Sequence, residues 1–148
     1  LSESRVLDAF AGSGAMGFEL LSRGALYATF VDKDRKTCDR IKRTAKSLGV
    51  STSEMSVICG DTARLAESSQ LFGGPFDVVF LDPPYAVKAE VVSKLLKDLT
   101  QSGSLTKDAV VVYEHSHKSD SVSLDNFELS KSKRYGIAQV DLLVRCEG

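Results

Sequence analysis

Short apolar runs alternate with amphipathic segments from one end of the chain to the other. The apolar runs are nearly continuous, as expected of strands that are covered on both faces. They lie at residues 5–8, 28–32, 56–59, 77–81 and 109–114. Strands that alternate in this way with helical segments are joined by right-handed crossovers. The pattern therefore predicts an α/β fold, with a parallel sheet and helices on both of its faces.

Three of the intervening segments have the periodicity of helices. In the clearest one, apolar residues recur at helical spacing and stop at Gly49, which suits a left-handed cap; they are Cys38, Ile41, Ala45 and Leu48. A second helix is predicted over residues 88–99. Its apolar side is formed by Val91, Val92, Leu95, Leu96 and Leu99. A shorter helix begins at Ala15 and ends at Gly24.

The end of the chain follows a different pattern. Residues 127–135 and 139–145 are strand-like runs separated by only Gly136, Ile137 and Ala138. These residues are too few for a helical crossover, so the two strands should pair antiparallel. Residues 116–126, which precede this hairpin, form the most loop-like stretch.

Length and composition suit a single domain. A chain of 148 residues with 43% hydrophobic and 26% charged residues can build one core, and we expect one domain over residues 1–148. The chain has no apolar stretch of about 18 to 20 residues and no signal-like start, which favours a cytoplasmic protein with no membrane partner. The first strand begins near the start of a sequence without an initiator Met. We therefore expect a native N-terminal arm to precede it.

Cysteine content and net charge narrow the function classes. Cys38, Cys59 and Cys146 are odd in number and widely separated, which argues against a disulfide framework and a structural zinc site. They are interpreted as reduced thiols. The net charge is −1, so any surface that binds nucleic-acid phosphates must be a local one.

A glycine-rich turn follows the first strand and opens a helix. Gly12, Gly14 and Gly17 match the G-x-G-x-x-G pattern, and Asp32 ends the second strand twenty residues after Gly12. A carboxylate at that position can bind a ribose diol, so NAD binding is an alternative. Asp8 favours S-adenosylmethionine instead, because a carboxylate there would repel a pyrophosphate and attract the cofactor's ammonium group.

A further acidic residue follows the third strand. Asp61 and Thr62 come directly after Gly60, at the edge where parallel sheets bind ligands. Asp61 is predicted to accept a hydrogen bond from an adenine amino group. The alternative is that Asp61 only caps a helix or a turn.

The most specific signal is the run Asp82, Pro83, Pro84 and Tyr85, directly after an apolar strand. Amino groups on bases are poor nucleophiles because their lone pair is delocalised into the ring. The Asp82 carboxylate and the Pro83 carbonyl can accept the two N–H bonds and direct the lone pair toward a methyl donor. Tyr85 can then stack on the base. The alternative is a Pro-Pro turn that merely ends a strand.

These segments together resemble the bacterial RsmD-like family of small-subunit ribosomal RNA guanine-N2 methyltransferases. The resemblance spans nearly the whole chain and rests on residues 7–17, 21–25, 82–85 and 134–136, with acidic residues at positions 32 and 61. It implies a Rossmann-like class I methyltransferase fold, S-adenosylmethionine as cofactor, and ribosomal RNA or the assembling small ribosomal subunit as partner. Nothing in the sequence requires more than a monomer. The chain departs from the family pattern at Asp61, where relatives often carry Asn.

The resemblance also implies roles for individual residues. Catalysis is assigned to the residues Asp82, Pro83, Pro84 and Tyr85. Cofactor binding is assigned to the strand ends and to the glycine-rich turn, namely Asp8, Phe10, Ala11, Gly12, Ser13, Gly14, Asp32, Lys33, Asp61 and Thr62.

Other functions are left open by the residues. An adenine-N6 DNA methyltransferase also uses an Asp-Pro-Pro-Tyr turn, although 148 residues leave no room for a domain that reads duplex DNA. An NAD-dependent dehydrogenase and a non-catalytic nucleotide-binding module are alternatives from other classes.

Charged and histidine residues outside these motifs receive simpler interpretations. The basic residues of the second helix alternate with Asp34 and Asp39, which is typical of a solvated face. Basic residues near the hairpin are better placed to bind phosphates, namely Lys131, Lys133 and Arg134. Residues 114–117 include Glu114, His115 and His117. They are predicted to form a surface strand end with no metal role.

Overall fold

One mixed sheet organises the part of the chain that the computed structural model describes, residues 2–119 and 121–146. Its strands are β1 (Arg5–Asp8), β2 (Tyr27–Asp32), β3 (Met55–Cys59), β4 (Phe76–Leu81), β5 (Leu105–Ser116), β6 (Phe127–Tyr135) and β7 (Ala138–Arg145). The helices are α1 (Ala15–Ser22), α2 (Arg35–Leu48), α3 (Thr62–Glu67) and α4 (Ala89–Gln101). The strand order is β3-β2-β1-β4-β5-β7-β6.

The sheet has the predicted mixture of strand directions. Strands β1 to β5 pair in parallel, whereas β7 pairs antiparallel with both β5 and β6. The predicted α/β fold with a C-terminal hairpin is therefore confirmed. The short helix α3 was not predicted. Strand β5 begins at Leu105 and not at residue 109. The sequence pattern missed its first residues because Lys107 and Asp108 are charged and exposed and interrupt the apolar run.

Alternation of side chains along the buried strands builds a core on each face of the sheet. Val6 packs in one core together with Phe30 and Ile41. Leu7, the next residue of β1, packs in the other core with α4 residues such as Leu96. Each fully buried large aliphatic side chain contributes about 1.5–3 kcal/mol.

Two residues that the helical periodicity assigned to the core are exposed. Leu48 is 61% exposed and Val91 is 42% exposed. Leu48 is the last residue of α2, and Val91 lies in the first turn of α4. The basic face of α2 is exposed, as predicted. Among the described residues, no helix is long and apolar enough to cross a membrane.

The topology fixes where ligands can bind. The chain adds β2 and β3 on one side of β1, then crosses to the other side for β4 and β5. The direction of winding therefore reverses between β1 and β4. In open α/β sheets, a crevice forms at this point beside the carboxyl ends of the strands.

The turn after β1 is packed against the sheet through glycine. A side chain at Gly17 would place its Cβ 2.3 Å from the ring of Phe30. Gly14 has φ of +80° at the N-cap of α1, and its Cβ would lie 2.9 Å from Phe18. Both positions therefore require glycine so that α1 can approach β2 closely.

The hairpin is joined to the sheet through a buried carboxylate. Asp141 on β7 accepts hydrogen bonds from His115 Nε2 at 2.6 Å, from Ser121 Oγ at 2.5 Å and from Ser132 Oγ. Burial acts to raise the pKa of Asp141, but these hydrogen bonds outweigh burial and lower it. These hydrogen bonds connect β7 to β5, to β6 and to the loop between β5 and β6. Tyr113 also stacks on His115, with 4.6 Å between the ring centroids.

We expect the change Asp141→Asn to lower the free energy of unfolding by roughly 2–4 kcal/mol, because one acceptor oxygen in a buried network becomes a donor. Urea denaturation followed by circular dichroism measures the loss. Asp125→Asn is the matched control, since Asp125 lies exposed in the preceding loop and such changes stay within about 0.5 kcal/mol. Equal midpoints for the two variants would contradict the assigned role of Asp141.

Candidate active site

A cavity of about 1060 Å³ opens at the carboxyl ends of the parallel strands. It lies at the predicted crevice, and its walls include every predicted site residue except Gly14. Gly14 shapes the turn through its positive φ and does not line the cavity. Further walls come from Met16, Val91, Val112, Glu114, Tyr135 and Val140.

Asp8 is the most buried carboxyl group in this cavity. Its Oδ2 accepts a hydrogen bond from the Gly17 backbone N–H at 3.2 Å. Burial raises the pKa of Asp8 to about 7; the Gly17 bond opposes this, and repulsion by Asp82 and Asp32 adds to it. The ionised form of Asp8 is therefore costly until a cation lies beside it.

Asp32 is held at the end of β2 by two backbone groups. Gly12 N–H donates to Oδ2 and Asp34 N–H donates to Oδ1, each at 3.0 Å. The glycine-rich turn and the start of α2 thus fix the orientation of the carboxylate. Each carboxylate oxygen has a second lone pair with which it can accept a ligand hydroxyl. Lys33, the next residue, is exposed and also lines the cavity.

Asp61 caps α3, as its alternative interpretation predicted. Its Oδ1 accepts from the backbone N–H groups of Ala63 and Arg64 at 3.0 and 3.3 Å. Asp61 also faces the cavity, so capping and ligand contact are compatible. The buried Thr62 donates a hydrogen bond through Oγ1 to the carbonyl of Ala9, which fixes the start of α3 against the end of β1.

The run from Asp82 to Tyr85 forms a turn on the opposite wall of the cavity. Pro83 is buried, whereas Asp82 is exposed and Tyr85 is 51% exposed. The Pro84 carbonyl accepts a hydrogen bond from Val87 N–H at 2.9 Å. Tyr85 therefore presents an accessible ring beside a carboxylate that is set at the end of β4.

Glu114 is a site residue that the sequence interpretation missed. The pairing of Leu81 with Tyr113 brings the next residues of β4 and β5, Asp82 and Glu114, together at the cavity wall. A side-chain hydrogen bond with Asp82 raises the pKa of Glu114, and burial and repulsion by Asp82 raise it further. Glu114 shares a sheet face with Val112, a period-two signal that could have revealed it.

His115 was predicted to lie at a surface strand end, and this prediction is wrong. This residue is 5% exposed and lies on the sheet face opposite Glu114, where it contacts Asp141. His117 is half-buried. In residues 2–119 and 121–146, no group of three or more potential metal ligands lies together.

Comparison with known proteins agrees with this geometry. Residues 1–144 match the family described as Conserved hypothetical protein 95. Ribosomal RNA small subunit methyltransferase D of Haemophilus influenzae is 32% identical over 143 residues, which cover 96% of this chain and 72% of that protein. A Bacillus subtilis protein, described as a candidate rRNA methyltransferase, is 32% identical over 92% of this chain and 73% of its own length. A crystal structure of a candidate methylase from Haemophilus influenzae superposes with a TM-score of 0.87 at 32% identity, covering 98% of this chain and 88% of that one.

The chain belongs to this family. It is thus a methyltransferase of the Rossmann-like class I fold, and the predicted resemblance to RsmD-like enzymes is confirmed. The NAD-dependent dehydrogenase that the glycine pattern left open is excluded by this membership.

The residues of the cavity fit the cofactor of such a methyltransferase. S-adenosylmethionine carries a sulfonium and an ammonium cation. The carboxylates of Asp8, Asp32 and Asp82 are close enough to raise the pKa of Asp8 by mutual repulsion. A bound cation would relieve that repulsion, because an opposite charge favours the ionised carboxylate.

Asp8 should make the stability of the ligand-free methyltransferase depend on pH. Its pKa is about 7 in the folded protein, against an ordinary value of 3.8 for an aspartate side chain, so the folded state binds more protons between these values. The free energy of unfolding then falls as pH rises from about 4 to 7, and the full loss is present above pH 7. Asp8→Asn should remove this slope and raise stability at pH 8 by roughly 2–4 kcal/mol.

Urea denaturation of the two proteins at pH 5 and pH 8 measures this difference. The comparison cancels contributions from other titrating groups, since both proteins retain them. If Asp8→Asn were no more stable than the parent at pH 8, burial would not be destabilising the ionised Asp8 carboxylate.

Asp32→Ala should weaken the binding of S-adenosylhomocysteine about ten- to hundredfold, because a charge-assisted hydrogen bond to the ligand is lost. Isothermal titration calorimetry measures the change. Asp39→Ala, on the exposed face of α2, is the control and should bind as the parent does. Circular dichroism verifies that both variants are folded, and unchanged affinity for Asp32→Ala would remove Asp32 from the cofactor site.

Proposed function

We propose that this methyltransferase transfers a methyl group from S-adenosylmethionine to the exocyclic N2 amino group of a guanine in small-subunit ribosomal RNA. The observation that carries the proposal is the turn of Asp82, Pro83, Pro84 and Tyr85, which faces the acidic strand ends across one cavity. Its relatives named as small-subunit ribosomal RNA methyltransferases support the choice of RNA.

The cofactor would be held along the edge formed by β1, β2 and β3. Asp8 would contact the ammonium group, Asp32 the ribose hydroxyls and Asp61 the adenine amino group. The rest of this wall is formed by Phe10, Ala11, Gly12, Ser13, Lys33 and Thr62. When bound, S-adenosylmethionine supplies an electrophilic methyl group.

The target amino group would be oriented by the end of β4. The Asp82 carboxylate and the Pro83 carbonyl accept its two N–H bonds, so that the nitrogen lone pair is directed toward the methyl donor. The nitrogen becomes cationic during transfer, and Asp82 stabilises that charge more than it stabilises the ground state. The methylated amine then loses its proton to Asp82 or to water.

Tyr85 would capture the base. Its ring is 51% exposed at the mouth of the cavity, and stacking of a base on an aromatic ring is worth about 1–3 kcal/mol. The position of the ring next to Asp82 allows a stacked base to direct its amino group to the carboxylate. An RNA nucleotide that is already unpaired can enter in this way without a separate domain.

Phosphate contacts would come from the outer strand of the hairpin. Lys131, Lys133 and Arg134 are exposed on β6. Lys133 Nζ lies 5.2 Å from the ring centre of Tyr135, and Tyr135 lines the cavity. The basic strand thus leads to the acceptor side of the site, where it can position the RNA backbone without reading its sequence.

Asp82→Ala should leave the affinity for S-adenosylhomocysteine within a few-fold and lower turnover by roughly 10²- to 10³-fold, the range for removal of one preorganised polar group. Transfer of a radioactive methyl group to small ribosomal subunits measures turnover, and calorimetry measures affinity. Near-normal turnover of Asp82→Ala would contradict the catalytic role of residues 82–85, which would then only end β4.

Variants of Tyr85 provide the matched comparison. Tyr85→Phe keeps the ring and should change turnover little, whereas Tyr85→Ala should raise KM for the RNA. Mass spectrometry of ribosomal RNA from cells with and without the gene locates the methyl group that the enzyme adds. Loss of a methyl group from any position other than guanine N2 would overturn the proposed target.

A further inference from the structure

Two carboxyl groups stand side by side on the acceptor wall of the cavity. Asp82 follows β4 and Glu114 lies on β5, one position beyond the paired residues Leu81 and Tyr113. Both line the cavity, and the two side chains are close enough for Asp82 to raise the pKa of Glu114. Orientation of an amino group and stacking of a base use Asp82 and Tyr85, so Glu114 has no part in the chemistry described above.

The hydrogen-bonding edges of the bases differ in a way that a pair of carboxylates can detect. Guanine presents two adjacent donors on its Watson–Crick edge, the N1–H and the N2 amino group. Adenine and cytosine each present an amino group next to a ring nitrogen that has a lone pair and no hydrogen. Ionised carboxylates only accept hydrogen bonds, so two of them match guanine and repel the ring nitrogen of the other bases.

We propose that Glu114 is a specificity-determining residue that accepts the N1–H of the target guanine while Asp82 accepts from its N2 amino group. This inference rests on the proposed function and adds to it the feature that selects guanine. The residue acts by contact with the base and takes no part in methyl transfer.

The state of the carboxyl pair without RNA supports this role. The hydrogen bond to Asp82, burial and repulsion by Asp82 all raise the pKa of Glu114, in that order of importance. Each of these causes disfavours the charged form of Glu114 as long as no N–H donor lies beside it. An N–H donor beside Glu114, such as the N1–H of guanine next to its N2 amino group, would favour the ionised form of Glu114, which only accepts hydrogen bonds.

The neighbouring residues favour a base in this position. Val112 precedes Glu114 on the same face of β5, Val140 lies beside it on β7, and Tyr135 closes the wall. These apolar and aromatic side chains provide a surface against which a flat base can pack.

A 2-aminopurine nucleotide tests the inference. It keeps the 2-amino group, but its N1 has a lone pair in place of the N1–H. Two synthetic RNAs, identical except for guanine or 2-aminopurine at the methylated position located by mass spectrometry, are compared as substrates of the complete protein. We expect kcat/KM to be about ten- to hundredfold higher for guanine, as for loss of a hydrogen bond to a charged group.

Glu114→Ala and Glu114→Gln should each reduce this preference to within about threefold. The first removes the acceptor, and the second provides an amide that can donate to N1 of 2-aminopurine as well as accept from guanine. The missing O6 of 2-aminopurine affects parent and variants equally. Asp108→Asn, an exposed change on the same strand, should retain the full preference.

Each outcome separates the two hypotheses. An unaltered enzyme that does not methylate the guanine RNA refutes the proposed function and this inference together. An enzyme that methylates guanine but accepts 2-aminopurine equally, or whose preference survives in both Glu114 variants, refutes only the role of Glu114. Affinity for S-adenosylhomocysteine should stay within a few-fold in both variants, and a larger loss would assign Glu114 to the cofactor site instead.

Discussion

Repulsion among carboxylates at one edge of the sheet is the constraint on which the site depends. The described hydrogen bonds to Asp8 and Asp32 come from nearby backbone N–H groups: Gly17 donates to Asp8, and Gly12 and Asp34 donate to Asp32. Backbone donors orient a carboxylate without neutralising it. The fold therefore keeps a local negative potential that a cationic ligand can neutralise. Keeping these carboxylates close together lowers the free energy of unfolding of the ligand-free domain.

The parallel sheet makes this arrangement possible. Strand ends that are far apart in sequence meet at one edge, so residues 8, 32 and 82 face one cavity. The antiparallel hairpin then adds a second wall. Through Asp141 it is bonded to His115 on the same strand as Glu114, and this part of β5 is thereby supported from the opposite face of the sheet.

The sequence predicts the parts of this structure that depend on local patterns. Buried strands were visible as apolar runs, and the motif at residues 82–85 marked one part of the cavity wall. Glu114 and His115 were misread because alternate residues of β5 face different environments, and only the pairing with β4 and β7 decides which is buried. Leu48 and Val91 were misplaced because periodicity shows the apolar side of a helix but not which of its residues lie at a helix end or beside a cavity.

The contact between Gly17 and Phe30 has a consequence for how the site recognises its ligand. Since no Cβ fits between α1 and β2, the glycine-rich turn cannot shift without moving a helix and opening the core. The N–H of Gly17 is also the group that holds Asp8. This packing fixes the part of the cavity wall that the turn forms, so little conformational entropy needs to be lost there when a ligand binds. Adaptation to the shape of a ligand is then expected where Tyr85 and Tyr135 line the cavity, because both are exposed side chains that can change rotamer.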